Sequence, residues 1–180
     1  MAITTLDGLL AGFQPPIFFE KIGAAMEASG ILHSLLYTPG IPGAGVAPTS
    51  AIGGDALTTY AGQIPWTNPA SGLGYLAKLS ANAGTPGKLL LVDRLWHNAS
   101  ITSTTTTGQT ITSATWPARD SSGSTDGVGI LIGIEVSTAT SNGGNITNTT
   151  LTYTNSANTG SRTASIASFP STAVAGTFVP

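Results

Sequence analysis

The sequence has no cysteine and very little charge. Without cysteine the chain forms no disulfide and performs no thiolate chemistry, so its stability has to come from packing and association. Asp, Glu, Lys and Arg make up 8% of the residues, against about 25% in a typical soluble domain. Six Lys and Arg residues and a net charge of −2 are too little for a nucleic-acid footprint, which needs clustered cations, or for binding an anionic membrane surface.

Long apolar runs and a targeting segment are also lacking. The longest apolar stretch, near residues 129–136, is far shorter than the roughly 18–20 residues of a membrane-spanning helix. Residues 1–10 carry no Lys or Arg ahead of their apolar residues, which is not the pattern of a signal peptide. We therefore expect a chain that is soluble or assembled with other proteins.

The few charges are unevenly distributed along the chain. Asp55 is the only charged residue between Glu27 and Lys78, and Arg162 is the only one after Glu135. An ordinary monomer uses surface charge to stay soluble and to keep apart from its neighbours. A chain without this charge is expected to have its surface covered by other protein, which predicts an assembly subunit rather than a free enzyme.

The sequence pattern predicts a mainly β protein in three parts. These are a short helical segment at residues 1–37, a Pro/Gly-rich extended arm at residues 38–87, and a β domain at residues 88–180. The helix is expected to follow Pro15 and Pro16 and to end at Gly30, because proline is favoured at the first helical position and glycine just after the last. A further helical turn is expected at residues 75–79.

The arm is rich in proline and glycine, yet apolar. Proline at the density of residues 38–74 is incompatible with regular helix and interior strand, and the segment is too apolar for a disordered linker. We expect an extended arm that lies on a neighbouring subunit, the alternative being a long irregular surface loop. The side chains expected to anchor this arm are apolar or aromatic: Leu57, Tyr60, Ile64 and Trp66.

The β domain is expected to begin with a buried strand at residues 88–96, an apolar run bounded by turn signals. Downstream, Leu151 and Tyr153 alternate with threonines, which is the period of a half-buried strand. The remaining strands are expected at residues 101–107, 110–116, 128–138, 147–154, 162–169 and 173–179. This number and spacing of strands are typical of an antiparallel β-sandwich or jelly roll.

No catalytic or metal-binding motif stands out in the sequence. On a strand, His97 and Asp93 would lie about 13 Å apart, and no Gly-x-Ser-x-Gly nucleophile motif accompanies them. Asp93 and Arg94 are instead expected to tie a strand end to a loop. Residues 120–127 allow two interpretations, a hairpin turn or a calcium loop that lacks the closing Glu. We expect no enzyme activity, no metal and no cofactor.

Four strings of the sequence resemble structural proteins of tailed bacteriophages. They are LLLVDRLWHN at residues 89–98, TWPARD at 115–120, GIEVSTAT at 133–140 and TYTNS at 152–156. The resemblance implies a capsid-associated protein on the surface of the virion, namely a decoration or cement subunit. Its implied partners are the major capsid protein and further copies of itself, in a homotrimer like those that commonly occupy local threefold positions of phage shells.

Other positions in the virion stay open as alternatives. A head or tail fibre of the adhesin type would bind host glycan through exposed aromatic side chains such as Trp116 and Tyr153. Such a fibre is expected to show repeats or a coiled-coil stem, and the sequence shows neither. A tail or neck subunit is a further alternative. In a decoration subunit, Trp116 joins the four arm residues as an expected interface residue.

Overall fold

The computed structural model describes residues 4–23, 30–48, 55–72, 74–112, 115–141, 143–166 and 168–180. Within these ranges the chain is mainly β, with one short helix and antiparallel strand pairs, as the sequence predicts. The elements are α1 (Leu6–Gly12), β1 (Glu20–Lys21), β2 (Leu32–His33), β3 (Gly40–Ile41), β4 (Asp55–Ala56), β5 (Trp96–His97), β6 (Ile134–Glu135), β7 (Thr140–Ser141), β8 (Thr150–Tyr153), β9 (Arg162–Ser165), β10 (Thr172–Ala173) and β11 (Thr177–Val179).

The strands form small separate sheets. In the described residues β1 pairs with β3, β4 with β5, β7 with β10 and β8 with β9, while β11 lies between β2 and β6 in a three-stranded sheet. Pairing of β2 with β11 and of β4 with β5 joins strands from all three predicted parts of the chain. The boundaries at residues 37 and 87, and the packing of the sheets as a sandwich, stay predictions.

The β8–β9 hairpin lies within the strands expected at residues 147–154 and 162–169, although each observed strand has only four residues. Leu151 lies opposite Ala164, and these two apolar residues are half-buried while their threonine and serine neighbours are exposed. The Asn155 side chain closes the turn, since its Oδ1 accepts hydrogen bonds from the amides of Ala157 (3.1 Å) and Thr159 (2.9 Å). Alternation and turn chemistry are both local signals, which is why the sequence pattern finds this hairpin.

The buried core of the described chain is small and lies beside β11. Its four apolar side chains are Val136, Phe169, Ala173 and Val179. Three isoleucines pack against them while remaining partly exposed: Ile134, Ile146 and Ile166. Thr177 of β11 is 2% exposed. Many large apolar side chains of the described chain lie outside this core and are exposed.

A glycine makes the turn between β10 and β11 possible. Gly176 has a φ of +95°, which is a left-handed conformation that glycine adopts without the cost of a Cβ. Its carbonyl accepts a hydrogen bond of 2.7 Å from the Ser34 amide, and a Cβ at this position would collide with the Ser34 carbonyl oxygen. The close approach of β2 to β11 therefore depends on this residue.

The helix expected from Ile17 to Gly30 is wrong in its described part. The residues after Pro16 are extended, and β1 pairs with Gly40–Ile41 of β3; residues 24–29 lie outside the described residues. The Lys21 ammonium fixes this pairing by donating to the carbonyls of Thr38 (3.3 Å) and Gly43 (3.1 Å). Pairing with a distant strand thus overrides the local helical pattern.

The helix lies earlier in the chain, at α1. Thr5 is its N-cap, with Oγ1 accepting a hydrogen bond of 3.1 Å from the Gly8 amide. Asp7 lies in the first turn, where a negative charge interacts favourably with the helix dipole. These capping signals are present in the sequence but belong to a helix of only seven residues.

The buried strand expected at residues 88–96 is also wrong, except at its end. Only Trp96 of this run belongs to a strand, β5, and Leu89, Leu90, Leu91 and Val92 are exposed. The described residues 75–79 form no helical turn, and the described parts of 101–107 and 110–116 form no strand; residues 113 and 114 lie outside the description. These segments are apolar or Thr-rich, as strands require, but have no neighbouring strand within the described chain.

Candidate assembly surface

An ion pair between Arg94 and Glu135 joins the chain just before β5 to β6. Nη1 and Nη2 of Arg94 donate to Oε2 (2.6 Å) and Oε1 (2.8 Å) of Glu135, and the side chains are 19% and 10% exposed. The Tyr37 hydroxyl donates to the same Oε2 at 3.3 Å. Two charges 41 residues apart in the sequence thus neutralise each other. Arg94 ties the chain before β5 to a strand, β6, and not to a loop as the sequence predicts.

The surroundings of this ion pair shift the pKa of each neighbour. Desolvation lowers the pKa of Arg94, but the hydrogen bonds and the charge of Glu135 outweigh it and leave the pKa raised. Burial and the negative charge of Glu135 raise the pKa of Tyr37 to about 12. The Arg94 guanidinium lies 6.0 Å from the centroid of the Tyr60 ring, and burial raises the pKa of Tyr60 as well.

A second ion pair lies next to the first. Arg119 donates from Nε and Nη2 to the two carboxylate oxygens of Asp93 (2.8 and 3.0 Å), and from Nη2 to the Leu57 carbonyl (3.0 Å). The side chains of Arg119 and Asp93 are 35% and 57% exposed. The hydrogen bond to Asp93 raises the pKa of Arg119. Both arginines near β5 are therefore engaged in holding the chain together, and they add little free charge to its surface.

The loop after Arg119 is organised around one carboxylate. Asp120 is 7% exposed, and its oxygens accept hydrogen bonds from the amides of Ser122, Ser124, Gly127 and Val128 and from both serine hydroxyls. Desolvation raises the pKa of Asp120, but the hydrogen bonds outweigh it, so the pKa lies well below its ordinary value. The geometry is that of a turn closed by its own donors, and no group of three metal-ligating residues occurs in the described chain.

A cavity of about 260 Å³ lies between β2 and the β7–β10 pair. His33, Thr140 and Thr177 line it together with apolar residues, and its lining contains no Asp, Glu, Lys or Arg. His97 lies in β5, and Asp93 forms its ion pair with Arg119. Neither His97 nor Asp93 lines this cavity.

The most conspicuous feature of the surface is its apolar character. Three stretches carry exposed large apolar side chains, which we name the N-terminal apolar segment (residues 6–22), the central apolar segment (residues 89–92) and the third apolar segment (residues 128–132). In the N-terminal segment, α1 has no buried residue and Phe18 is 80% exposed. In the third segment, Leu131 is 87% exposed. Large exposed apolar patches are uncommon on soluble monomers, so these segments are candidate sites of association.

The predicted arm anchors are placed in two ways. Leu57 is 5% exposed, with its amide bonded to the Leu95 carbonyl at 2.8 Å, so its side chain is buried within this chain. Tyr60 and Ile64 are half-buried. These three residues already make contacts inside the chain, and their role in contacts with another subunit stays a prediction.

The two predicted tryptophans retain more freedom to meet a partner. Trp66 is 45% exposed, and its Nε1 donates to Oδ1 of Asn68 at 3.1 Å. Trp116 is half-buried, with Nε1 donating to the Thr125 carbonyl at 3.0 Å. Because its indole N–H is satisfied locally, Trp66 can present the ring to an apolar pocket without leaving a polar group unpaired.

Sequence reasoning missed the partner of Arg94 and the exposure of residues 89–92. A signal for the first was present, because Glu135 is an isolated charge in an apolar run and needs an opposite charge nearby when it is buried. No sequence signal predicts that the apolar run is exposed. Hydrophobic periodicity indicates that a side chain will be buried, but it does not indicate whether its own chain or another chain buries it.

Within the described residues, no helix has the length and apolar character needed to cross a membrane. No known protein family, curated protein or solved structure matches this chain.

Proposed function

We propose that this chain is a non-enzymatic structural subunit of a tailed-phage virion, namely a decoration or cement subunit on the surface of the head shell. In this role it binds the major capsid protein and further copies of itself, in the homotrimer that the sequence resemblance implies. It stabilises the shell by covering contacts between capsid subunits.

The observation that carries the proposal is the size of the exposed surface. The chain exposes 12,758 Å², whereas a compact monomer of its mass of 18.0 kDa exposes about 8,000 Å². The surplus of about 4,700 Å² compares with about 800 Å² that each partner contributes to a standard protein interface. Such a surface suits a subunit that contacts several neighbours at once.

The chemistry of the surface supports the same proposal. The exposed residues are largely apolar, Thr, Ser, Asn and Gly, and the charges of Arg94, Arg119 and Glu135 are engaged in ion pairs. Association through such a surface depends on apolar burial and neutral hydrogen bonds. Because few ion pairs would be screened, its strength should change little with salt.

The predicted arm, residues 38–74, supplies a specific contact in this proposal. An aromatic side chain in a partner's pocket can contribute about 2 kcal/mol of association free energy, and Trp66 is the arm residue best placed for this. Limited proteolysis of the free and the shell-bound protein tests the arm. We expect the segment to be cut in the free protein and protected on the shell; equal cleavage in both states would contradict its role.

The proposal is tested with phage heads that lack this protein. Purified protein is added to the heads, and the bound copies per head and the resistance of the shell to heat are measured. We expect saturable binding of many copies with a more resistant shell. The variant Trp66→Ala should weaken binding by about 30-fold, whereas Tyr153→Ala, which removes an exposed aromatic side chain outside the arm, is the matched control. Absence of binding would refute the decoration role.

Copy number separates the proposal from its alternatives. Hundreds of copies in each virion are expected of a shell decoration subunit, whereas a handful would indicate a neck, tail or fibre subunit. Hydrolysis of peptidoglycan or capsule by the purified protein, lost in His97→Ala, would instead establish an enzyme.

A further inference from the structure

The central apolar segment, residues 89–92, belongs to no strand or helix and contains no turn or bend. Its four residues are 40%, 68%, 49% and 73% exposed in chain order, so four consecutive apolar side chains contact solvent. No hydrogen bond joins residues 75–92 to any other described residue. The segment therefore presents both apolar side chains and free backbone donors and acceptors.

This combination specifies the kind of occupant that the segment needs. An extended segment with unpaired N–H and C=O groups is a template for strand pairing, and an added strand supplies these hydrogen bonds while alternate side chains give specificity. The ion pairs of Asp93 with Arg119 and of Arg94 with Glu135 fix the chain directly after the segment. The segment is thus anchored at its C-terminal end and positioned to receive a strand.

We propose that residues 88–92 pair with the same residues of a second copy of this chain, antiparallel and about a twofold axis, with Leu90 opposite Leu90. This inference deepens the proposed function, on which it rests, because it names one surface through which copies associate. A twofold contact is closed, so each copy satisfies the other and the paired edge does not recruit further chains.

Charge is compatible with a second copy and favours one register. Asp93 is paired with Arg119, but its side chain stays 57% exposed. Lys88 lies at the other end of the segment, so antiparallel pairing brings Lys88 of each copy to the end that holds Asp93 of the other. Parallel pairing would place like charges together, which is unfavourable across strands. The alternative symmetric register, with Leu91 opposite Leu91, would set Lys88 against Arg94 and the apolar Leu89 against Asp93. The register centred on Leu90 avoids both conflicts.

A stable dimer needs about 800 Å² from each partner, which is more than residues 88–92 alone can supply. Neighbouring exposed surface of this chain therefore has to contribute to the same contact. The threefold contact implied by the resemblance would use other surfaces. Twofold pairing then doubles the number of chains in the assembly that those surfaces form.

The test exploits the position of Leu90 on the twofold axis. In Leu90→Asp, and equally in Leu90→Lys, the pairing sets like charges opposite each other, and sedimentation equilibrium should show at least about tenfold weaker association and an assembly mass that falls by half. An equimolar mixture of the two variants sets Asp against Lys and should restore the wild-type mass. Because Leu90 is 68% exposed, the far-UV circular dichroism of each variant should match that of the wild type.

Leu76→Asp is the matched control, because Leu76 is 51% exposed and lies in the same stretch without hydrogen bonds. This substitution should leave the assembly mass unchanged. Hydrogen exchange of the wild type provides a second measurement: alternate amides of residues 89–92, those that face the partner strand, should become protected as the protein concentration rises. A wild-type monomer at micromolar concentration, unprotected amides in the assembled protein, or a mixture of variants that stays dissociated would overturn the inference. So would protection that arises only on phage heads.

These results are independent of the decoration assay. Restored association of the mixed variants together with no binding to heads would refute the proposed function and leave the twofold contact established. Binding to heads by a protein that never self-associates would refute the twofold contact and support the proposed function.

Discussion

Removal of the Arg94 guanidinium tests whether the Arg94–Glu135 ion pair holds the fold. In Arg94→Met the Glu135 carboxylate stays 10% exposed and keeps only the Tyr37 hydroxyl, 3.3 Å away. Loss of one partner of a buried ion pair costs about 3–5 kcal/mol. Because Arg94 itself is 19% exposed, we expect the lower end, about 3 kcal/mol of unfolding free energy.

The double variant Arg94→Met/Glu135→Leu should be far more stable than Arg94→Met, because it leaves no buried charge unpaired. Urea titration followed by tryptophan fluorescence at pH 7 gives the four unfolding free energies of the cycle, and we expect a coupling of about 2 kcal/mol. Arg162→Met is the control, since Arg162 is exposed in β9 and should change stability by less than about 0.5 kcal/mol. Additive effects of the two substitutions would refute the reasoning.

Three further predictions concern two turns and the half-buried Tyr37. Gly176→Ala should lower the unfolding free energy by about 2 kcal/mol through its positive φ, whereas Gly108→Ala, where a Cβ meets nothing within 4 Å, should change it little in the same urea titration. The pKa of Asp120 is lowered in the folded chain, so its contribution to stability is present above the pKa of the unfolded chain and is lost as the pH falls. Asp120→Asn should therefore flatten the acid limb of a profile of melting temperature against pH, whereas the control Asp126→Asn should not. The pKa of Tyr37 is raised to about 12, so its contribution is present below about pH 10 and is lost as the pH rises to about 12; a Tyr37→Phe variant with an unchanged alkaline limb would contradict this.

The sequence pattern predicts those parts of the fold that depend on neighbours in the chain. The β8–β9 hairpin follows from alternation and from Asn155, both of which act within a few residues. The sequence predicts a helix where the structure has β1, because β1 forms by pairing with Gly40–Ile41. The residues next to β1 in the sequence do not reveal that partner. The same limit applies to the Arg94–Glu135 pair, because the isolated charge of Glu135 predicts a partner without identifying it.

The central apolar segment shows a different limit. Residues 89–92 have the composition of a strand that is buried on both faces. The prediction that these side chains are buried holds for the assembled protein if a second chain covers them. Nothing in the composition of one chain distinguishes burial within that chain from burial at an interface. Low charge was the additional signal that pointed to association, because it concerns the whole surface rather than one element.

The central claim is that other protein chains cover the apolar surface of this subunit. Hydroxyl-radical footprinting of the free protein and of intact virions measures this cover directly at Phe18, Leu90 and Leu131, which are 80%, 68% and 87% exposed. We expect all three side chains to be labelled readily in the free protein and several-fold less in the virion. Equal labelling in both states would contradict the account, because the apolar surface would then remain in contact with water in the assembled particle.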